Sequence, residues 1–265
     1  MDNNNLVSII MPSYQCGRFI EESIRSVRAQ TYPYWELIIV DDCSDDSTVE
    51  IVSEAKKHDN RICFIRNGSN LGAAVSRNLA IRKAKGRWIA FLDSDDLWEP
   101  TKLEKQIKFM VENGYVFSYH EYVEIDLHGN GLGIHVSGKK HLKKFDVFAC
   151  CWPGCLSVMY DASAVGLIQI KDIKRNNDTA LWLKVIRRAD CYLLPEILGK
   201  YRRRDGSITP KRLWDRILAH YPLFRVAEEM NPISAIFWVI MNMFGNAYKK
   251  MKYVKQYEVK GPYRV

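Results

Sequence analysis

Apolar and polar positions along the first hundred residues fall into two alternating rhythms. Residues 6–11, 35–40, 61–66 and 88–92 are short, nearly unbroken apolar runs bounded by turn residues. Such runs read as strands buried on both faces. Between them, apolar positions recur every three or four residues, as at Ile20, Ile24 and Val27, with charges opposite. That spacing predicts amphipathic helices over 19–30, 48–57 and 73–85. Strand–helix alternation repeated three times, with continuous rather than alternating apolar strands, predicts an α/β fold: a mostly parallel sheet with helices on both faces.

Beyond residue 100 the pattern is less regular. A helix is predicted over 102–112, a strand over 116–125, and a hairpin or mobile loop over the Gly-rich 128–138. Residues 179–188 read as a helix. Residues 193–201, interrupted by Pro195, read as an edge strand or extended segment. The tail changes character. Residues 232–244 are apolar apart from Ser234 and Asn242, and Lys249, Lys250, Lys252 and Lys255 follow, interleaved with tyrosines. The apolar run is too short to cross a bilayer, which needs about 20 residues. It suits a helix lying on an anionic membrane surface through residues 232–257, or one packed on the core or in a homodimer.

Chemistry enters where the strands end. Ligands of open parallel sheets bind at the carboxyl ends of the strands, and Tyr14, Asp42 and Asp95 all fall there. The fourth strand stops in Asp93-Ser94-Asp95-Asp96. Clustered carboxylates repel one another and lose hydration, a cost a divalent cation offsets. Mg²⁺ or Mn²⁺ takes such oxygens, keeps waters and bridges to phosphates. The plainer reading is an acidic cap on the next helix. Asp178 poses the same choice, since it sits at or just before the start of a helix. Arg202, Arg203 and Arg204 are either a solvated face or a holder for diphosphate.

The chain has 265 residues, a formal charge of +8, 47% hydrophobic residues and 12% aromatics. This suits a packed core with a surface favouring anions and excludes disorder. No recognisable nucleic-acid module accompanies the basic residues, so nucleic acid is not an expected partner. Seven cysteines without a CxxC pair argue against disulfides and zinc. The first turn, Pro12-Ser13-Tyr14-Gln15-Cys16-Gly17, carries no dinucleotide fingerprint, and there is no Walker A motif. A phosphorelay receiver would need its acidic pair after the first strand. No signal peptide is visible, so the site is expected in the cytosol.

Four separated stretches, VSIIMPSY (7–14), ELIIVDDCSDDST (36–48), NLGAAVSRN (70–78) and the strand at 88–96, resemble family 2 glycosyltransferases of the GT-A fold. NDTALWL (177–183) matches that family's later acidic motif. The similarity covers about residues 5–205 and looks nearest to bacterial enzymes of capsule, teichuronic acid or O-antigen assembly. The resemblance implies a GT-A catalytic domain over 1–210, with a nucleotide half to about residue 100 and an acceptor half after it. A helical appendage over 211–265 would associate with the inner face of the cell membrane. Pro12 and Tyr14 would line the nucleobase pocket, and Asp42 would accept from uracil N3–H. Arg77 would approach the phosphates, with Asp93 near the ribose and Ser94 beside it on the donor nucleotide. Asp95 would bind Mn²⁺ or Mg²⁺, with Asp96 as the competing ligand, and Asp178 would be the general base. The implied activity is inverting transfer from a UDP-sugar to a glycan or lipid-linked glycan. Two departures stand out. Asn177-Asp178 replaces the usual Glu-Asp, and YRRRDGSIT (201–209) lacks the His some members carry, so Arg202 or Arg203 is expected to reach the diphosphate. A nucleotidyltransferase and a non-catalytic sugar-nucleotide-binding protein are the competing readings.

Overall fold

The computed structural model describes residues 5–204 and 213–257. Its first half is β1 (Val7–Ser13), α1 (Ile20–Arg28), β2 (Trp35–Asp41), α2 (Thr48–His58), β3 (Ile62–Arg66), α3 (Ala73–Lys83) and β4 (Trp88–Phe91). Each lies within two residues of its predicted span. The strands form the parallel ladder β3-β2-β1-β4. Ile9, Ile10, Met11, Leu37, Ile38, Ile39 and Val40 are wholly buried, which is why the runs are continuous. The N-cap of α2 is Ser47, from the Ser/Asp cluster, but its side chain makes no cap bond; Asp46 Oδ1, one residue earlier, accepts the Thr48 N–H at 3.0 Å instead.

The second half comprises β5 (Leu97–Trp98), α4 (Lys102–Asn113), β6 (Phe117–Ile125), β7 (Gly131–Val136), β8 (His141–Leu142) and α5 (Lys144–Ala149). A 3₁₀ turn (Cys155–Ser157), β9 (Met159–Asp161), α6 (Ala162–Val165), α7 (Asn177–Val185) and β10 (Cys191–Arg202) follow. The chain ends with α8 (Leu213–Pro222), a π turn (Leu223–Ala227), α9 (Pro232–Tyr253) and β11 (Val254–Gln256). The sheet runs β11-β7-β6-β9-β4-β1-β2-β3.

The sheet is therefore mixed. Parallel pairing holds through β4, after which β9, β6, β7 and β11 pair antiparallel and only β10 runs parallel to β6. One local expectation holds and one changes. Residues 128–138 form the β6–β7 hairpin. β10 is no edge strand, because it pairs with β5, β6 and β8. It tolerates Pro195 through a register shift between Leu194 and Ile197, where no ladder N–H is required.

The tail packs on the core through one face. Asn231 Oδ1 caps α9 at the Ser234 N–H, 2.9 Å away, and Pro232 occupies its first turn. Ala235, Val239 and Asn242 are buried, and Trp238 lies 5.2 Å from the Phe148 ring. None of the described helices is long and apolar enough to cross a membrane.

Candidate active site

The register Ser13↔Asp41, together with Ile10↔Phe91, brings the carboxyl ends of β1, β2 and β4 level. Above them opens a cleft of about 880 Å³. Pro12, Tyr14, Asp42, Arg77, Asp93, Ser94, Asp95 and Asp178 all line it, though they span 166 positions of sequence. Asp96 and Arg203, also expected here, do not.

Alternation along the β2 end separates two adjacent acids. Asp41 turns inward, where Ser44 donates to it through Oγ (2.5 Å) and N–H (2.9 Å). Asp42 faces the cleft and is 3% exposed. Its oxygens accept from Asn67 Nδ2 (2.8 Å), the Leu71 N–H (2.9 Å) and the Gly72 N–H (2.7 Å). A carboxylate offers about four acceptor positions, so one remains for a ligand N–H. Gly72 adopts φ +91, which a side chain would strain, and this lets the loop close over Asp42. Tyr14, also on the cleft lining, is half-exposed.

The end of β4 is tightly wound, with the Asp96 N–H donating to the Asp93 carbonyl at 3.1 Å. Asp95 points into the cleft, and its Oδ2 lies 2.7 Å from Arg204 Nε. Burial pushes its carboxyl up, and the Arg204 charge opposes this. Asp96 points the other way. Its Oδ1 accepts the Arg202 N–H at 2.8 Å, while Oδ2 is buried without a hydrogen-bond partner among the described residues. Burial first, then Asp95 and Asp93, drive its carboxyl far up. Among the described residues no group of three or more acids, histidines or cysteines could hold a metal. A hard cation that keeps its waters and binds substrate phosphates needs only one or two carboxylates. Asp95 supplies one on the cleft surface, so the residues fit a cation completed by a diphosphate.

Arg77 is buried as a bridge rather than extended into the cleft. Its guanidinium donates to Asp93 Oδ1 at 2.9 Å and to Asn177 Oδ1. Asn177 thus occupies its position as a neutral acceptor for Arg77. Asp178 does not cap α7. The N-cap is Asn176, in the left-handed region at φ 55, and Asp178 lies inside the first turn. Its Oδ1 accepts the Thr179 N–H at 2.7 Å. Burial raises its carboxyl, and the Arg77 charge partly restrains the rise. A half-buried carboxylate on the wall of a cleft, hydrogen-bonded only locally among the described residues, to the Thr179 N–H and hydroxyl, has the character of a general base.

The arginine run splits by strand alternation. Arg202 is spent on structure, donating to Glu22 Oε2 (2.6 Å) and the Asp95 carbonyl (2.9 Å). Arg203 faces the other side and grips Glu124 with two bonds of 2.6 and 2.7 Å. Arg202 and Arg204 both line the cleft, and Arg204, which the expectation for Arg202 or Arg203 passed over, pairs with the cleft acid Asp95. The period of two already implied that 202 and 204 share a face. Lys174, before α7, also lines the cleft, and no sequence motif marked it.

The family model described as glycosyl transferase family 2 matches residues 8–154, more than half of the chain. TuaG of Bacillus subtilis, named for glycosyl transfer in teichuronic acid biosynthesis, is 38% identical over 92% of this chain and 97% of its own length. WfgD of Escherichia coli is 37% identical over 86% of this chain and 92% of its own. It is named a UDP-Glc:α-D-GlcNAc-diphosphoundecaprenol β-1,3-glucosyltransferase. The structure of Staphylococcus aureus TarS 1–349 in complex with UDP-GlcNAc superposes with a TM-score of 0.69. That match covers 93% of this chain and 74% of the other at 18% identity, a likeness of fold.

Proposed function

The chain belongs to glycosyl transferase family 2 and is a glycosyltransferase, and from that premise we propose that it transfers a sugar from a UDP-sugar, with inversion, to a lipid-linked glycan. The observation that carries this reading is the meeting in one cleft of the strand-end carboxylate Asp95 and the half-buried carboxylate Asp178. Pro12 and Tyr14 flank the base, and Asp42 uses its remaining acceptor position for the uracil N3–H. Asp93 and Ser94 face the ribose side. Arg77 holds Asp93 and Asn177 in place beneath the phosphates. Asp95 would hold Mn²⁺ or Mg²⁺, with Asp96 behind it. The chemistry supplied there is neutralisation of the charge that develops on the departing diphosphate.

Asp178 takes the proton from the attacking acceptor hydroxyl. One base suffices because the donor already carries its leaving group, and attack opposite the diphosphate inverts the anomeric carbon. WfgD is named for a sugar on diphosphoundecaprenol, and an acceptor of that class fits this reading. The nucleotide half extends to about residue 100 and the acceptor half to about 210. The tail 211–265 seats the enzyme peripherally on the inner face of the membrane. The support is an exposed apolar stripe on α9 formed by Ile233, Ile236, Phe237, Ile240, Phe244, Tyr248 and Met251, with Lys250 and Lys252 flanking it. Basic flanks beside an apolar face suit an anionic lipid surface.

The test is a panel of UDP-sugars with Mn²⁺, with and without EDTA, read by UDP release onto a synthetic GlcNAc-diphosphate lipid. Metal-dependent release with one sugar supports the reading. Pyrophosphate release from a nucleoside triphosphate, or UDP binding without turnover on any sugar, overturns it. Flotation with phosphatidylglycerol vesicles tests the tail, where Phe244→Glu should abolish recovery. Equal recovery, or concentration-dependent dimers broken by the same change, would assign the stripe to a homodimer.

A further inference from the structure

Arg204 stands apart from the two arginines before it. Arg202 has no exposed side-chain surface and is held by Glu22 and two backbone carbonyls. Arg203 is committed to Glu124. Arg204 keeps 38% of its side chain exposed on the cleft, with its guanidinium carbon 5.7 Å from the Phe19 ring centre. Its ion pair is to Asp95 Oδ2, the carboxylate that the functional reading gives to the cation. Among the described residues the only other interactions of this side chain are the stacking on Phe19 and a 3.7 Å contact to Cys16 Sγ, both weak enough to let it leave the pair. A guanidinium and a divalent ion repel one another across a single carboxylate. A guanidinium also matches two phosphate oxygens at once through its planar fork. A diphosphate held beside Asp95 would lie close to that fork, since Arg204 Nε is 2.7 Å from Asp95 Oδ2.

We propose that Arg204 and the divalent cation are alternative counter-ions of Asp95, and that Arg204, exchanged off Asp95 when cation and donor arrive together, closes on the diphosphate. The inference rests on Asp95 being the cation's carboxylate. It makes metal and nucleotide binding interdependent. The cation alone must displace an arginine that has nowhere better to go. With the diphosphate present, the displaced arginine gains a new partner. By linkage each ligand then raises the other's affinity by the same factor.

The experiment is a titration of the full chain with Mn²⁺, followed by electron paramagnetic resonance of the free ion, with and without UDP. In the wild type UDP should tighten Mn²⁺ binding by at least tenfold. Arg204→Met should tighten binding of Mn²⁺ alone several-fold and weaken UDP in the presence of Mn²⁺ about tenfold, shrinking the mutual enhancement. Arg204→Lys keeps the charge without the fork, so Mn²⁺ alone should bind as in the wild type while UDP weakens. Mn²⁺ affinity unchanged or weakened in Arg204→Met, with the melting temperature preserved, overturns the exchange and leaves the Asp95 assignment standing. A wild type that binds no Mn²⁺ even with UDP, or Asp95→Asn that binds as well as wild type, removes the Asp95 assignment and the exchange together.

Discussion

The two sides of the cleft are built by different means. On the donor side the two acids at the end of β2 are answered by nearby segments. Asp41 is held by Ser44, three residues on. Asp42 is held by the loop at 67–72 that follows the adjacent strand. On the acceptor side, Asp178 owes its surroundings to remote segments. Arg77 reaches its helix from 100 positions away through Asn177. Cys151 Sγ accepts from Thr179 Oγ1 beside it at 3.5 Å. The segment carrying Cys151 is in turn gripped by α9. Asn242 Nδ2 donates to the Phe148 carbonyl at 3.2 Å, and Lys249 Nζ donates to those of Cys151 (2.9 Å) and Trp152 (2.8 Å). A lesion on the donor side should therefore stay a donor lesion, whereas the acceptor side should respond to changes in a helix far along the chain.

The largest break in that comparison is Asp178→Asn. It removes the base without changing the outline of the site, so transfer should fall about 10²–10⁴-fold while calorimetric affinity for UDP stays as in the wild type. The pH dependence carries the sign. Burial raises the Asp178 carboxyl, and only the ionised form accepts a proton. The acid limb of kcat should therefore lie above the ordinary carboxylate value of about 3.9. Arg77 opposes that rise, so Arg77→Met should move the limb to still higher pH. A limb that stays in place in a folded, UDP-binding Arg77→Met protein would show that some other group limits the reaction.

The same asymmetry governs what could be read from the chain itself. The ladder β3-β2-β1-β4 was legible because β1, β2 and β4 are covered on both faces, while β3, at the sheet edge, is buried only in part. Burial there is a local pattern. The convergence of Tyr14, Asp42 and Asp95 followed from topology alone. Beyond β4 the information is non-local. β10 carries Pro195 and looks like an edge, yet it is buried among three partners because a register shift accommodates the proline. Asp178 looked like a cap, but the backbone turns at Asn176 with positive φ, a conformation asparagine tolerates better than most side chains, and this moves the cap two residues earlier. Arg204 was visible only as the last of three equal arginines. Its distinction from Arg203 is a matter of which face a strand presents. The tail read as an apolar run followed by lysines, whereas α9 is one continuous 22-residue helix whose inner face uses Lys249 as an internal donor.

A matched pair of variants sharpens the contrast at intermediate size. Asp42→Asn puts an amide where two backbone N–H groups need acceptors, which costs about 1–3 kcal/mol for the group left unsatisfied. UDP affinity should drop roughly tenfold or more by that magnitude, with transfer recovering at saturating donor. Lys249→Met strips two buried carbonyls of their donor, at a similar cost of about 1–3 kcal/mol in stability. It should leave UDP affinity unchanged while transfer falls several-fold at saturating donor, with Lys249→Arg restoring part of it. Steady-state kinetics with calorimetry separates the two. Donor affinity falling in both variants would mean the sides are not independent.

The smallest effect tests how closely α9 sits on the chain it grips. A Cβ on Gly245 would lie 2.0 Å from the Ala149 carbonyl oxygen and 2.9 Å from Cys150 Cβ. The obstacle is backbone, which cannot rotate aside, so Gly245→Ala has to push the helix off α5. Overpacking of this kind costs about 1–3 kcal/mol. Alanine in place of glycine inside a helix returns about 1 kcal/mol, leaving a net loss of about 1 kcal/mol. For a chain of this size that lowers the melting temperature by about 2–4 °C. Because the displaced segment runs on toward Cys151, transfer should decline slightly more than stability does, with UDP binding untouched. A melting temperature that rises would mean that helix propensity outweighs the contact. The acceptor side would then rest on Lys249 and Asn242 rather than on close backbone approach.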